Sequence, residues 1–157
     1  MKTIYISGPI TDLTTGQPRE GWQQDFLDAE AKLRRMGFAV INPVDIAREV
    51  EEAKRIQHEF VPTPIDAHGN PLPPSRADYI MACLQRMKMA HSCDRLHGVY
   101  VIGEYVSCMI SHGVQMELQM ADVLGLPIYA DDSNDLRVER SLHKTRNYEK
   151  IEDLLND

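Results

Sequence analysis

"DRLHGVYVIGEYVSCMISHGVQMELQMADVLGLPIYA", residues 94–130, decides the fold. "DRLHGVYVIG" holds a β-branched and aromatic run that reads as a buried strand, and "PIYA" reads as another. Between them lies a helix. Numbered from Val114, the positions Glu117, Leu118, Ala121, Leu124 and Gly125 fall at i+3, i+4, i+7, i+10 and i+11, the spacing of a core-facing stripe. A strand, a loop "GEYVSCMI", a helix and a strand make a crossover that joins two parallel strands. One position breaks the stripe, because Glu117 stands where an aliphatic residue belongs. A buried carboxylate without partners costs several kcal/mol or shifts its pKa, so Glu117 needs either a structural partner or a task.

The same alternation runs through the rest of the chain. "TIYIS" (3–7) reads as a buried first strand closed by a Gly-Pro turn. A helix follows on which Trp22, Phe26, Ala29, Leu33 and Met36 step by four and three until Gly37 stops it. "FAVIN" is a second strand, and "PVDIAREVEEAKRIQHEF" a charged helix with Pro43 in its first turn. "VPTPIDAHGNPLPPS" (61–75) holds five prolines and a Gly-Asn signal, which makes it an extended loop, a lid or binding segment by its length. "RADYIMACLQRMKMAHS" is again a helix.

Strands alternating with helices predict a single α/β domain over 1–131: a doubly wound, flavodoxin-like parallel sheet with helices on both faces. Residues 132–157 read as a polar extension with a short helix near its end. In such sheets ligands bind beyond the carboxyl ends of the strands. The loop after the first strand, Asn42-Pro43 after the second and the loop 103–111 after the third converge there.

Composition narrows the function. With 17 basic against 24 acidic residues and no basic stripe, a polymeric nucleic-acid partner is not expected. A single small phosphate is still compatible, since a loop and a helix N-terminus hold one without lysines. No apolar run nears the roughly 20 residues needed to span a bilayer. Cys83, Cys93 and Cys108 show no CxxC spacing, and "MKTIYISGPI" enters a strand at once, so a cytoplasmic, reduced protein is expected. The six histidines form no HxxxH or HxH pair, which argues against zinc. GxxxxGK[ST], GxGxxG and GxSxG are all absent, and no cofactor is expected.

Chemistry concentrates at the helix start, in Ser111-x-Gly113-x-x-x-Glu117. Ser111 can cap the helix, Gly113 lets a ligand approach the backbone, and the free N–H groups point outward. The helix dipole is expected to favour the ionised form of Glu117, as a carboxylate nucleophile requires. The alternative is a capping serine followed by a glutamate paired with an arginine. Tyr5 either orients that carboxylate or is a core tyrosine with a satisfied hydroxyl. Asp78, early in its helix, needs no explanation beyond the dipole, and Asp94 reads as a turn or cap residue.

Tyr5-Ile6-Ser7-Gly8-Pro9 on the first strand, Asn42-Pro43 after the second, Asp78 ahead of Asp94, and Ser111-His112-Gly113-Val114-Gln115-Met116-Glu117 together resemble the nucleoside 2-deoxyribosyltransferase superfamily, which includes the 2'-deoxynucleoside 5'-monophosphate N-glycosidases. The resemblance spans residues 2–130. It implies that Glu117 attacks C1' of the sugar, that Tyr5 holds and tunes that carboxylate, and that Asp78 contacts or protonates the departing base. Ser111 and Gly113 would bind the 5' side of the sugar, with Ser7, Gly8, Pro9 and Asn42 on the same substrate-binding rim. Two positions depart from the family pattern: Gln119 replaces a glycine, and Arg19 is the only basic residue in the loop after the first strand. The 5' group, phosphate or hydroxyl, is left open, as is hydrolysis versus transfer.

Three functions are therefore in competition: cleavage of an N-glycosidic bond in a nucleoside or its monophosphate, non-catalytic nucleotide binding or sensing on the same fold, and an interaction protein. The resemblance also implies a homodimer or higher homo-oligomer. Eight methionines, most on two helices with apolar residues around more than one face, supply the contact surface.

Overall fold

Successive side chains of a strand point to opposite faces of its sheet, and the first strand, β1 (Thr3–Ser7), feeds two separate cores in this way. Ile4 and Ile6 enter one apolar layer and Tyr5 the other. The computed structural model describes residues 1–12, 14–103, 105–130 and 151–155. After β1 come α1 (Trp22–Arg35), β2 (Ala39–Ile41), α2 (Pro43–Phe60), α3 (Arg76–Ser92), β3 (Gly98–Val101), α4 (Tyr105–Ile110), α5 (His112–Val123) and β4 (Ile128–Ala130).

The described strands form one all-parallel sheet in the order β2-β1-β3-β4. This is the expected α/β architecture, consistent with a flavodoxin-like fold. Tyr5 lies level with Ile41 of β2 on one side and Val99 of β3 on the other. Because the chain leaves β1 toward β2 and then returns to β3, the strand order reverses between β1 and β3. In sheets of this kind ligands bind beyond the strand ends at such a reversal.

On one face Leu84 and Met87 of α3 and Val114, Leu118 and Ala121 of α5 pack against Tyr5, Val99 and Val101. On the other, Trp22, Phe26, Ala29 and Leu33 of α1 cover Ile4, Ile6, Tyr100 and Tyr129. The α1 stripe is the one its spacing predicts, and full burial of each such large side chain contributes about 1.5–3 kcal/mol. A 3-10 turn, Ile151–Leu155, adds Ile151 and Leu154 to this second core. Of the short helix expected at 147–157, the described residues form this 3-10 turn. The rest of the predicted extension lies outside the described residues.

Local signals set the helix starts. The Asn42 side chain accepts the Val44 N–H and Pro43 occupies the first position of α2. Ser75 and Asp78 form a reciprocal capping box that starts α3 directly after the proline-rich loop. That loop contains no helix or strand, and one isolated bridge, Ile65 to Pro71, closes it. The sequence reading differs from the structure at "GEYVSCMI", where α4 forms. Six residues are too few for an apolar period to show. Among the described residues no helix is long and apolar enough to cross a membrane.

Candidate active site

Tyr5 and Ser7 stand two apart on β1 and therefore share a face, the one that meets α5. Both reach Glu117. The Tyr5 phenol donates to Oε2 of the carboxylate, and the Ser7 hydroxyl donates to Oε1 at 3.1 Å. Tyr5 and Ser7 are fully buried, and Glu117 is only 7% exposed. Among the described residues no cation pairs with Glu117. The alternative of a glutamate held by an arginine is thereby set aside. Its stripe position is explained: the carboxylate lies buried between β1 and α5, gripped on both oxygens by neutral hydroxyls.

Two opposing effects act on this carboxyl. Hydrogen bonds from Tyr5 and Ser7 favour the ionised form, but desolvation outweighs them and pushes its pKa up to about 8. The expectation that the helix dipole would keep Glu117 ionised is therefore corrected. Glu117 is the sixth residue of α5, and the dipole fades beyond the first turn. Burial, followed by the charge of Glu117, raises the Tyr5 phenol well above its ordinary value, so it remains a neutral donor.

The half-buried thiol of Cys83, on α3, neighbours Tyr5, and burial pushes its pKa up to about 12. Sequence reasoning passed over Cys83. It lies three residues after Ile80 and four before Met87, a helical stripe that could have revealed its inward position.

The remaining expected residues divide into rim and scaffold. Ser111 caps α5 by accepting the Val114 N–H at 3.3 Å. At Gly113 an added Cβ would meet nothing closer than 3.9 Å, so packing does not demand a glycine there. The Pro9 carbonyl accepts from Arg19, and its ring lies against Gly103, whose φ of 100° and close contact both favour glycine. The loops after β1 and β3 thus meet. Gly8 is fixed by packing, since a Cβ there would come within 2.6 Å of Ile102. Asn42 uses its amide on Val44, Glu30 and Phe26, which makes it a buried scaffold residue holding α1 to α2.

Asp78 is not brought to Glu117. Its carboxylate accepts the Ser75 N–H at 2.7 Å at the exposed start of α3, and this bond lowers its pKa. It carries no proton to give at neutral pH, so the structure supports a capping role rather than protonation of a leaving base. Asp94 adopts a φ of 54° in the turn before β3, in line with its reading as a turn residue.

Beside these residues a cleft of about 220 Å³ opens between the loop after β1 and the junction of α4 with α5. Its walls are Pro9, Thr11, Asp12 and Arg19 from the loop, Arg76 from α3, and Ser107, Ile110 and Ser111. Glu117 is not on that wall. Arg76 escaped the sequence reading because only the fold carries the start of α3 to this rim. Among the described residues no group of His, Cys, Asp and Glu is placed to hold a metal ion.

Compared with known proteins, residues 2–130 match the family described as "Domain of unknown function (DUF4406)". No curated protein and no solved structure matches the chain.

Proposed function

The chain belongs to the DUF4406 family, and from its site we propose that it cleaves the N-glycosidic bond of a (deoxy)nucleoside or its 5'-monophosphate, with Glu117 as nucleophile. One observation carries this reading: a buried carboxylate at the strand-order reversal, held on both oxygens by Tyr5 and Ser7 and paired with no cation among the described residues. The sequence resemblance to the deoxyribosyltransferase superfamily gives Tyr5 and Glu117 the same roles.

In this mechanism the ionised Glu117 attacks C1' and the base departs with the bond electrons, taking a proton from solvent. The resulting glycosyl ester yields to water in hydrolysis, or to a second base in transfer. The high pKa of Glu117 suits the chemistry. Burial disfavours its charge in the empty site, and the positive charge that develops on the sugar restores it in the transition state. Tyr5 and Ser7 fix the carboxylate without neutralising it.

Cytoplasmic action is part of the proposal, because Cys83, Cys93 and Cys108 are all free thiols and such thiols persist where the compartment is reducing. Assembly as a homo-oligomer is a further part. Met81 and Met89 on α3 and Met116 on α5 are 40–66% exposed, a surface suited to a second copy. Light scattering should give at least a dimer at micromolar concentration; a monomer would remove this part.

The cleft wall that stops at Ser111, short of Glu117, favours a second reading in which the site binds a nucleotide without cleaving it. One experiment separates the two. The protein and its Glu117→Gln variant are incubated with a panel of nucleosides and monophosphates, and free base is followed by chromatography. Release by the parent alone supports cleavage, and binding without release by either supports the second reading.

A further inference from the structure

The two hydroxyls that hold Glu117 are not equivalent. Tyr5 and Ser7 share a face of β1, and Ser7 is its last residue. A serine hydroxyl is bonded directly to Cβ, so Oε1, at 3.1 Å from it, lies at the carboxyl end of the strand, the end at which ligands meet sheets of this kind. The phenol comes from two residues back, out of the core it shares with Val99 and Leu118, and takes Oε2. Ser7 is firmly held. It is fully buried and level with Val101 of β3, and its carbonyl accepts the Ile102 N–H at 2.8 Å.

From this division of labour we propose that Oε1 is the attacking oxygen, and that Ser7 is a positioning residue for the second half of the reaction, in which Glu117 leaves the sugar. The inference rests on the proposed cleavage and extends it. In the first half a lone pair of Oε1 forms the bond to C1', the C1'–N bond breaks, and its electron pair departs with the base, which takes a proton from water. Oε1 is then the bridging oxygen of an ester and Oε2 its carbonyl. A carbonyl oxygen still accepts from the phenol, whereas a bridging ester oxygen, with no charge, is a poor acceptor. The bond from Tyr5 therefore persists in the ester and the bond from Ser7 weakens.

In the second half water, or a second base in transfer, bonds to C1'. The C1'–Oε1 electron pair returns to Oε1, and the proton of the incoming group passes to solvent. As charge returns to Oε1 the Ser7 hydroxyl again has an anionic acceptor, so its bond strengthens toward the transition state of this step. Ser7 thus favours the departing carboxylate over the ester and keeps the site from stalling on its own intermediate. Being fully buried, it does so through Glu117 and not by contact with the sugar.

The test compares the full chain with Ser7→Ala and with Ser7→Cys, whose thiol is a weak donor of similar size. Each protein is incubated with the common nucleosides, deoxynucleosides and their 5'-monophosphates at the plateau of its own pH profile, where Glu117 is ionised. Free base is followed by chromatography and the sugar ester by intact-protein mass after acid quench, with melting temperatures as a check on folding. The ratio of esterified to free protein should rise roughly tenfold to a hundredfold in Ser7→Ala, the worth of a hydrogen bond to a charged group, with Ser7→Cys in between. If Ser7→Ala does not fold, Ser7→Cys decides by the same ratio. A merely structural role slows base release without moving that ratio. An unchanged ratio, or base release with no ester in either variant, overturns the role of Ser7 and leaves the cleavage standing. No base release by the parent from any of these substrates overturns both.

Discussion

The phenol of Tyr5 and the carboxyl of Glu117, 112 residues apart in the chain, share a hydrogen bond buried between β1 and α5. Each makes the other usable. Tyr5 lowers the pKa of a carboxyl that burial raises, and the neighbouring Glu117 helps keep the phenol protonated as a donor.

Glu117→Gln should reduce base release on the order of a thousandfold or more, since no other described group can replace the nucleophile. The fold should survive, because an amide can accept from Tyr5 and donate to the Ser7 hydroxyl. Stability carries a signed test. In the native protein Glu117 holds its proton up to about pH 8, whereas in the unfolded chain it loses it near its ordinary value of 4.5. This contribution is fully present below pH 4.5 and is lost as pH rises through 8. The stability of the parent relative to Glu117→Gln should therefore fall across that window, by a few kcal/mol in order of magnitude. Parallel thermal-denaturation curves for the two proteins between pH 5 and 9 would contradict the assignment.

Tyr5→Phe removes one of the two bonds that favour the charged carboxylate. For the parent, kcat/KM should rise about tenfold per pH unit up to a plateau near pH 8, as Glu117 ionises. In Tyr5→Phe the plateau should start at higher pH, with activity at pH 7 lower by roughly tenfold to a hundredfold. A pH–rate profile superimposable on that of the parent would show that the phenol does not tune Glu117.

Asp78→Asn and Ser75→Ala disturb the same capping box. Capping predicts similar, modest losses of stability for both by denaturant titration, with base release retained. Loss of activity in Asp78→Asn at normal stability, unmatched by Ser75→Ala, would return Asp78 to the chemistry.

Two glycines at the rim should respond in opposite ways. Gly8→Ala drives a Cβ to 2.6 Å from Ile102 Cγ1, 3.2 Å from Phe26 and 3.3 Å from the Ile102 carbonyl, and should cost about 1–3 kcal/mol. Gly113→Ala meets nothing closer than 3.9 Å and sits in a helix, so stability should hold or gain up to about 1 kcal/mol. If Gly113→Ala nevertheless weakens substrate binding, as a rise in KM at constant kcat, the glycine serves ligand approach. An unchanged KM removes Gly113 from the site.

Much of the fold was legible because its signals are local and repeated. The Trp22, Phe26, Ala29 and Leu33 stripe gave α1, and the residues between Ser75 and Cys93 gave α3 with its start and end. The six residues of α4 carry no comparable repeat. For the site, Glu117 announced itself as the one acid on an apolar stripe, and the resemblance singled out Tyr5. That Ser7 grips the same carboxylate follows from strand alternation only once Tyr5 is known to face α5. Arg76 and Cys83 were out of reach for another reason: their neighbours at the site are distant in sequence and are set by how β1 pairs with β3 and how α3 packs on α5. The capping box at Asp78 was itself readable in Ser75-x-x-Asp78, and it accounts for the acid better than catalysis does.

The span between β1 and α5 has a consequence for the order of events in folding. Residues 5, 7 and 117 meet only after β3 has docked beside β1, which requires closing a loop of about ninety residues, and such non-local pairings form slowly. No partly folded chain therefore holds the carboxylate in place, and a nascent chain lacking α5 has no site at all. The first appearance of the Tyr5–Glu117 pair marks the docking of α5 against β1.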